Sequence, residues 1–276
     1  MPVKYKCFEV EKKHGIAHLQ MSRPEKANSM NSDFWMELPT IIRELDAAGD
    51  VRVCILSGQG KNFSGGMDLS FFAQPVFANL GEARKREFVT NIIKGLQNAF
   101  DAFDNARFPI IAAVQGSCIG GALDMIAACD LRYCSSDARF SIEEINIGMM
   151  ADLGSLQRLP LIMPEAVVRE ISYTGDLLDA VRAQELNLVN NVYASHVEMM
   201  DAVQVIAEKI ASKPPMAISS SKKAFNHSRN HGLVDSLAHV QLLQAAFFEP
   251  KDVMIAMQAR VNKEVAEFED VYPLEI

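Results

Sequence analysis

Three carboxylates, Asp124, Glu144 and Asp152, fall within one apolar, glycine-rich stretch from Ala112 to Pro160. A carboxylate inside an apolar run must be paired, protonated or put to use. Two carboxylates beside a glycine loop offer proton transfer next to a backbone oxyanion hole. A third offers a second place to deliver the proton. Two glycine pairs supply such loops: Gly65-Gly66 before Met67, and Gly120-Gly121 opening a predicted helix over 122–128. The first N–H groups of a helix lack internal partners and carry partial positive charge. One N–H from each loop can therefore bind a developing enolate oxygen.

Each feature also has a plain local reading. Asp68 can hold a turn or cap a helix. Gly120-Gly121 can serve close helix–strand packing. Asp124, in the first turn of its helix, can answer the helix dipole, and Asp152 can be the N-cap of a helix starting near Gly154. Alternation along Ala138 to Ile142 places Glu143 and Glu144 on opposite faces, one buried and one exposed.

Other motifs carry less. Gly58-Gln59-Gly60 lacks the third glycine of a dinucleotide fingerprint, with Phe63 in its place, and no Gly-Lys-Ser/Thr follows. Cys118, in Gly116-Ser117-Cys118-Ile119-Gly120, has no histidine nearby in sequence and reads as a buried structural thiol. His227 and His231 are spaced i,i+4 without a zincin glutamate and read as a surface pair. Met149-Met150 and Met199-Met200 read as core packing or the lining of an acyl channel.

The elements that must position these groups alternate along the chain. Tyr5 to Val10 and Ile16 to Met21 read as strands around a turn at Lys13-His14-Gly15. A helix from Asp33 to Ala48 follows, capped by Asn31 or Ser32. Val51 to Ser57 and Pro109 to Val114 are continuous apolar strands, as expected of burial on both faces. Gly81 to Asn105 reads as a long amphipathic helix, and Leu131 to Cys134 and Arg139 to Ile142 as short strands. Beyond residue 200 the chain reads as helices at Asp201–Ala211, Pro215–Arg229, Val234–Phe247 and Lys251–Phe268. Residues 1–200 thus form an α/β core with the site, and 201–276 a helical module. Its apolar positions, such as Leu237, Val240, Leu243, Ala246 and Phe247, exceed what one core needs and predict an oligomer.

The chain of 276 residues is 49% hydrophobic, enough for one large core. Its net charge of −8 argues against nucleic acid as a partner. No run approaches the ~18 apolar residues of a membrane helix. The start, MPVKYKCFEVEKKHG, has no apolar leader region, and five cysteines without a C-x-x-C pair suit a reducing compartment, so a cytoplasmic location is expected.

Together, Ser22 to Asn31, Phe63 to Leu69, Ala112 to Pro160 and Ala183 to Val189 resemble the enoyl-CoA hydratase/isomerase (crotonase) superfamily. The resemblance covers nearly the whole chain. It implies a spiral of β-β-α units with a C-terminal helical trimerisation module, giving a trimer or a dimer of trimers. It implies acyl-CoA substrates, no metal, and no cofactor beyond the coenzyme A carried by the substrate. The thioester oxygen would be held by the N–H groups of Met67 and Gly121. Arg23, Lys26, Gly66, Asp68, Leu69 and Gly120 fall where the family binds CoA and substrate. A net negative chain needs local cations for CoA: Arg23, Lys26 and Lys222 or Lys223. Hydratases have glutamate where Asp124 stands and usually glycine where Asp152 stands. The set Asp124, Glu144, Asp152 instead looks like the Δ3,5-Δ2,4-dienoyl-CoA isomerase subfamily. That likeness implies Glu144 as the C2 base, Asp152 as the C6 acid and Asp124 as a tuning neighbour, with the base and acid roles open to exchange. A hydratase, a Δ3-Δ2 isomerase and a non-catalytic binding member of the same fold are the alternatives.

Overall fold

The computed structural model describes residues 3–73 and 81–274. Most strands lie in one sheet of order β1-β2-β3-β4-β5-β7-β10. These are β1 (Val3–Lys4), β2 (Phe8–Lys13), β3 (Ile16–Met21), β4 (Val53–Gly58), β5 (Ile110–Val114), β7 (Leu131–Ser135) and β10 (Asn191–Tyr193). The first three pair antiparallel and the rest parallel. A second sheet holds β6 (Ser117–Ile119), β8 (Arg139–Ser141) and β9 (Leu178–Asp179).

The chain climbs as a spiral that leaves a strand in each sheet before returning by a helix. β5 passes to β6 through Gly116, whose φ of 56° is left-handed and whose added Cβ would collide with Lys61 O. Helix α3 (Gly121–Ala127) then leads to β7 and β8. Isolated bridges Met30–Met67 and Ser64–Cys118 carry the second layer back to the earlier turns. The expected crotonase-like α/β spiral is therefore the observed architecture.

β4 is buried at all six residues because both faces of its sheet are covered. Cys54 and Leu56 enter the main core with α1 (Ser32–Ala48) and α2 (Glu82–Asn105). Val53 and Ile55 face the other way, against Met199, Val203 and Ala207 of α7 (His196–Ala211). α1 starts where expected: Asn31 accepts a hydrogen bond from Phe34 N at 3.0 Å. Asn187 takes a left-handed φ of 65°.

The remaining helices are α4 (Ser155–Arg158), α5 (Glu165–Thr174), α6 (Ala180–Glu185), α8 (Pro215–Ser228), α9 (Leu233–Phe247) and α10 (Pro250–Asn262). Two expectations change here. α7 begins at His196, earlier than the expected Asp201, and packs on the sheet. α10 stops at Asn262 and not at Phe268, because Lys263 turns left-handed and its N–H bonds Ala259 O. The tail then returns to the core, held by Arg52 Nη2 on Phe268 O at 2.6 Å and Arg107 Nη1 on Tyr272 O at 2.9 Å. Among the described residues no helix is long and apolar enough to cross a membrane.

Candidate active site

The two glycine loops meet. Ser64 N donates to Ser117 O at 2.9 Å and Ile119 N returns a bond to Ser64 O at 3.2 Å. A methyl placed on Gly66 would lie 2.4 Å from Ile119 O and 3.6 Å from Gly121 N. The loops are set from below by Asn28, whose Nδ2 donates to the carbonyls of Gln59, Asn62 and Phe63 at 2.9–3.0 Å. Asn28 lies within the motif that carries the family resemblance, yet nothing local in the sequence distinguishes it as the residue that shapes the loop.

Met30 straddles Met67. Its N–H donates to Gly66 O at 2.8 Å, and its carbonyl accepts from Asp68 N at 3.1 Å. Successive peptide groups of an extended chain alternate in direction, so the Met67 N–H points away from Met30. It makes no backbone bond among the described residues. Gly120 N is spent on Ser141 O at 2.9 Å, and Leu123 N and Asp124 N bond Gly120 O. Gly121 N, at the first turn of α3, makes no backbone bond among the described residues, as expected of a helix N-terminus. Two adjacent backbone donors thus remain for one oxygen.

Glu144 sits beside them. Its Oε1 is 3.1 Å from where a Gly120 Cβ would be, and its Oε2 is buried with no partner among the described residues. Burial, then the Asp124 charge, raises its pKa to about 7. The expected split between Glu143 and Glu144 does not hold. β8 ends at Ser141, and Glu143–Ile147 forms a 3₁₀ turn in which both glutamates are half-buried. Such a turn rotates neighbours by about 120° and not by the 180° of a strand. Glu143 takes a bond from Ser141 Oγ at 2.8 Å.

Asp124 is wholly buried. Its Oδ1 accepts from Ser155 N at 2.5 Å, and its Oδ2 has no described partner. Burial raises its pKa to about 6. Asp152 is half-buried, and burial raises its pKa too. Asp124 lies in the first turn of α3 as expected, and Asp152 does not cap α4. Gly154 is the N-cap of α4 and makes no side-chain cap; the carboxylate serving that helix's first turn is Asp124, from a distant element. After burial, the Asp124 and Asp152 charges raise the proton affinity of Glu144, and the Asp152 charge raises that of Asp124, so the three sites are coupled.

The proposed binding residues divide. Arg23 donates to Ser29 O at 2.7 Å and pairs with Asp68 at 3.7 Å. Asp68 also accepts from Ser70, and those bonds, helped by Arg23 and opposed by burial, lower its pKa. These two residues hold the loop. Lys26 and Leu69 are exposed beside it. Lys222 is not available: it is buried, paired with Asp130 at 2.9 Å and bonded to the carbonyls of Phe103 and Phe108. It pins α8 to the core. Lys223 lies 4.4 Å over the Phe247 ring. Cys118 is buried, and burial pushes its thiol pKa well up, away from nucleophilic use.

The raised carboxylates make stability pH-dependent with a definite sign. Glu144 and Asp124 bind protons more tightly folded than unfolded, so their contribution is complete below the unfolded value near ~4 and is lost as pH rises through 6–7. The unfolding temperature should fall between about pH 5 and about pH 8. Glu144→Gln, which cannot ionise, should flatten that fall; an equal fall in both proteins by calorimetry would contradict the assignment.

Residues 11–271 match the enoyl-CoA hydratase/isomerase family, and the chain belongs to that family. It is 38% identical over 271 residues to the peroxisomal Δ(3,5)-Δ(2,4)-dienoyl-CoA isomerase of Arabidopsis thaliana, covering 96% of this chain and 97% of that protein. It is 36% identical over 254 residues to the mitochondrial Δ(3,5)-Δ(2,4)-dienoyl-CoA isomerase of Homo sapiens, covering 91% and 77%. A short-chain-enoyl-CoA hydratase of Clostridium acetobutylicum is 31% identical, covering 92% and 94%. Among solved structures, the enoyl-CoA hydratase of Bacillus anthracis superposes with a TM-score of 0.84 at 26% identity, covering 98% and 100%. That of Mycobacterium tuberculosis superposes at 0.82 with 28% identity, covering 96% and 99%.

Proposed function

We propose that this protein is an isomerase that converts 3,5-dienoyl-CoA thioesters into 2,4-dienoyl-CoA thioesters. The observation that carries the reading is a third carboxylate of raised proton affinity, Asp152, beside the Asp124–Glu144 pair and two free backbone donors. The relatives named as dienoyl-CoA isomerases support it.

Glu144, against Gly120, takes a proton from C2. The electron pair enters the C1–C2 bond, and charge on the thioester oxygen is met by the Met67 and Gly121 N–H groups. The extended dienolate then accepts a proton at C6 from Asp152, leaving double bonds at C2–C3 and C4–C5. One proton leaves the substrate and one enters; transfer from Glu144 to Asp152 restores the enzyme. Asp124, fully buried and tied to Ser155, does not move a proton to substrate. Its charge keeps Glu144 basic enough to act near neutrality. Coenzyme A enters only as part of the substrate, and no step calls for a metal. Lys26, Leu69 and the Arg23–Asp68 loop are the proposed CoA contacts.

The test is direct. Purified protein is given a 3,5-dienoyl-CoA and, separately, a 2-enoyl-CoA. Conjugated 2,4-dienoyl absorbance from the first without hydration of the second is expected; hydration alone would replace this reading with a hydratase.

The proposal includes a homo-oligomer, trimer or dimer of trimers. α9 and α10 expose Leu233, Val234, Leu242, Met254 and Val261, each more than two-thirds open, and a monomer rarely leaves such a surface bare. Light scattering at micromolar concentration should give a multiple of three chains; a monomer would refute it. The buried free thiols suit a reducing cytoplasm, beside relatives named mitochondrial and peroxisomal.

A further inference from the structure

The loop that bears Asp152 is clamped to one stripe of α2. Gln97, Asp101 and Asp104 are spaced i, i+4 and i+7 and so share a helix face. Gln97 Nε2 donates to the Asp152 carbonyl at 2.6 Å. Asp101 and Asp104 hold the Arg158 guanidinium at 2.8 and 3.1 Å. Arg158 in turn donates to the Leu153 carbonyl at 3.3 Å. Gly154, with φ 131°, leaves the space that this guanidinium fills. Two successive carbonyls of the turn are thus gripped from α2, whose second half is rooted in the core by Ala99, Phe100 and Phe103.

We propose that Gln97 is a positioning residue for the reaction, setting Asp152 as the distal proton donor by holding its peptide carbonyl. This rests on the isomerase reading above. The bond is made to the main chain, so the carboxyl stays free for substrate. The donor is also neutral. A lysine or arginine so close would favour the carboxylate form and remove the proton that C6 needs. Glutamine anchors the loop without that effect. It is also the member of the stripe whose loss disturbs no ion pair, whereas removing Asp101 or Asp104 would take away one of the two carboxylates that hold Arg158.

Gln97→Leu tests this with two readings. The first is kinetic, with a 3,5-dienoyl-CoA in D₂O. Isomerisation should slow roughly 10- to 100-fold with KM little changed. Exchange of the C2 hydrogen, which needs only Glu144 and the two N–H donors, should persist. The second reading needs no turnover: the carboxyl resonance of Asp152 in ¹³C-aspartate-labelled protein, assigned with Asp152→Asn. Its titration midpoint should fall toward the ordinary carboxylate value as the freed loop gains water. An unchanged midpoint with the parent rate would overturn the proposal. So would equal losses of exchange, isomerisation and melting temperature, which mark general loosening. If the parent protein fails to isomerise the dienoyl thioester, the functional reading falls, and the midpoint still decides the role of Gln97.

Discussion

Asp152→Asn is expected to slow isomerisation of a 3,5-dienoyl-CoA by about 10²–10⁴-fold, the usual worth of a general acid or base. Binding of the CoA portion should change little. The substitution keeps the shape and removes the transferable proton. Removing a proton at C2 leaves a dienolate whose charge reaches C6, several ångströms along the chain. In the proposed reaction Glu144, lying against Gly120, serves the thioester end, and a second group must serve the other. Asp152 suits that task because burial holds its proton more tightly than a free aspartate would. C2 exchange should survive in Asp152→Asn and vanish in Glu144→Gln. Isomerisation by Asp152→Asn at the parent rate would remove the main support for the dienoyl assignment.

Gly66→Ala should lower the rate by about 10²–10³-fold, the typical loss when one oxyanion donor is misplaced. Gly66 has φ 84°, and its new Cβ would press to 2.4 Å from Ile119 O, a backbone atom of the facing loop. That oxygen cannot swing aside as a side chain would. The loops must part, and Met67 N–H and Gly121 N–H part with them. Gly65→Ala is the matched control, because its Cβ would meet only Ala27 at 3.6 Å, an ordinary contact. Gly121 itself is the gentler probe: its Cβ meets Met30 Sδ at 3.3 Å, a flexible chain end. A valine there should still cost activity by displacing Met30, which aligns Met67. Gly66→Ala with the parent rate and an intact helical spectrum would refute the two-donor geometry.

Much of this arrangement is written in consecutive residues. The run Val53 to Leu56 must lie between two covered faces, and it does. Asn31 must cap α1, and its side chain accepts the Phe34 N–H. The glycine pairs mark where backbone approaches backbone, and both proved to be contact points of the same two loops. Such features depend on residues within a few positions, whose conformational preferences act before any tertiary contact forms.

Other features were decided only by folding. Alternation placed Glu143 and Glu144 on opposite faces, but the strand ended one residue early, at Ser141, and a tighter turn left both half-buried. The plain local reading of Asp152 was a helix cap, but the carboxylate at that helix start is Asp124, from 31 residues away. Lys222 read as a ligand for phosphate and became a buried tie to Asp130. Gln97 had no signal at all, since an exposed glutamine in an amphipathic helix is ordinary. The residue types and their order singled out three carboxylates in one apolar stretch. Which of them holds a proton, and where it points, was decided by burial and by carbonyls and charges brought from distant segments, because desolvation and charge coupling act through space and not along the chain.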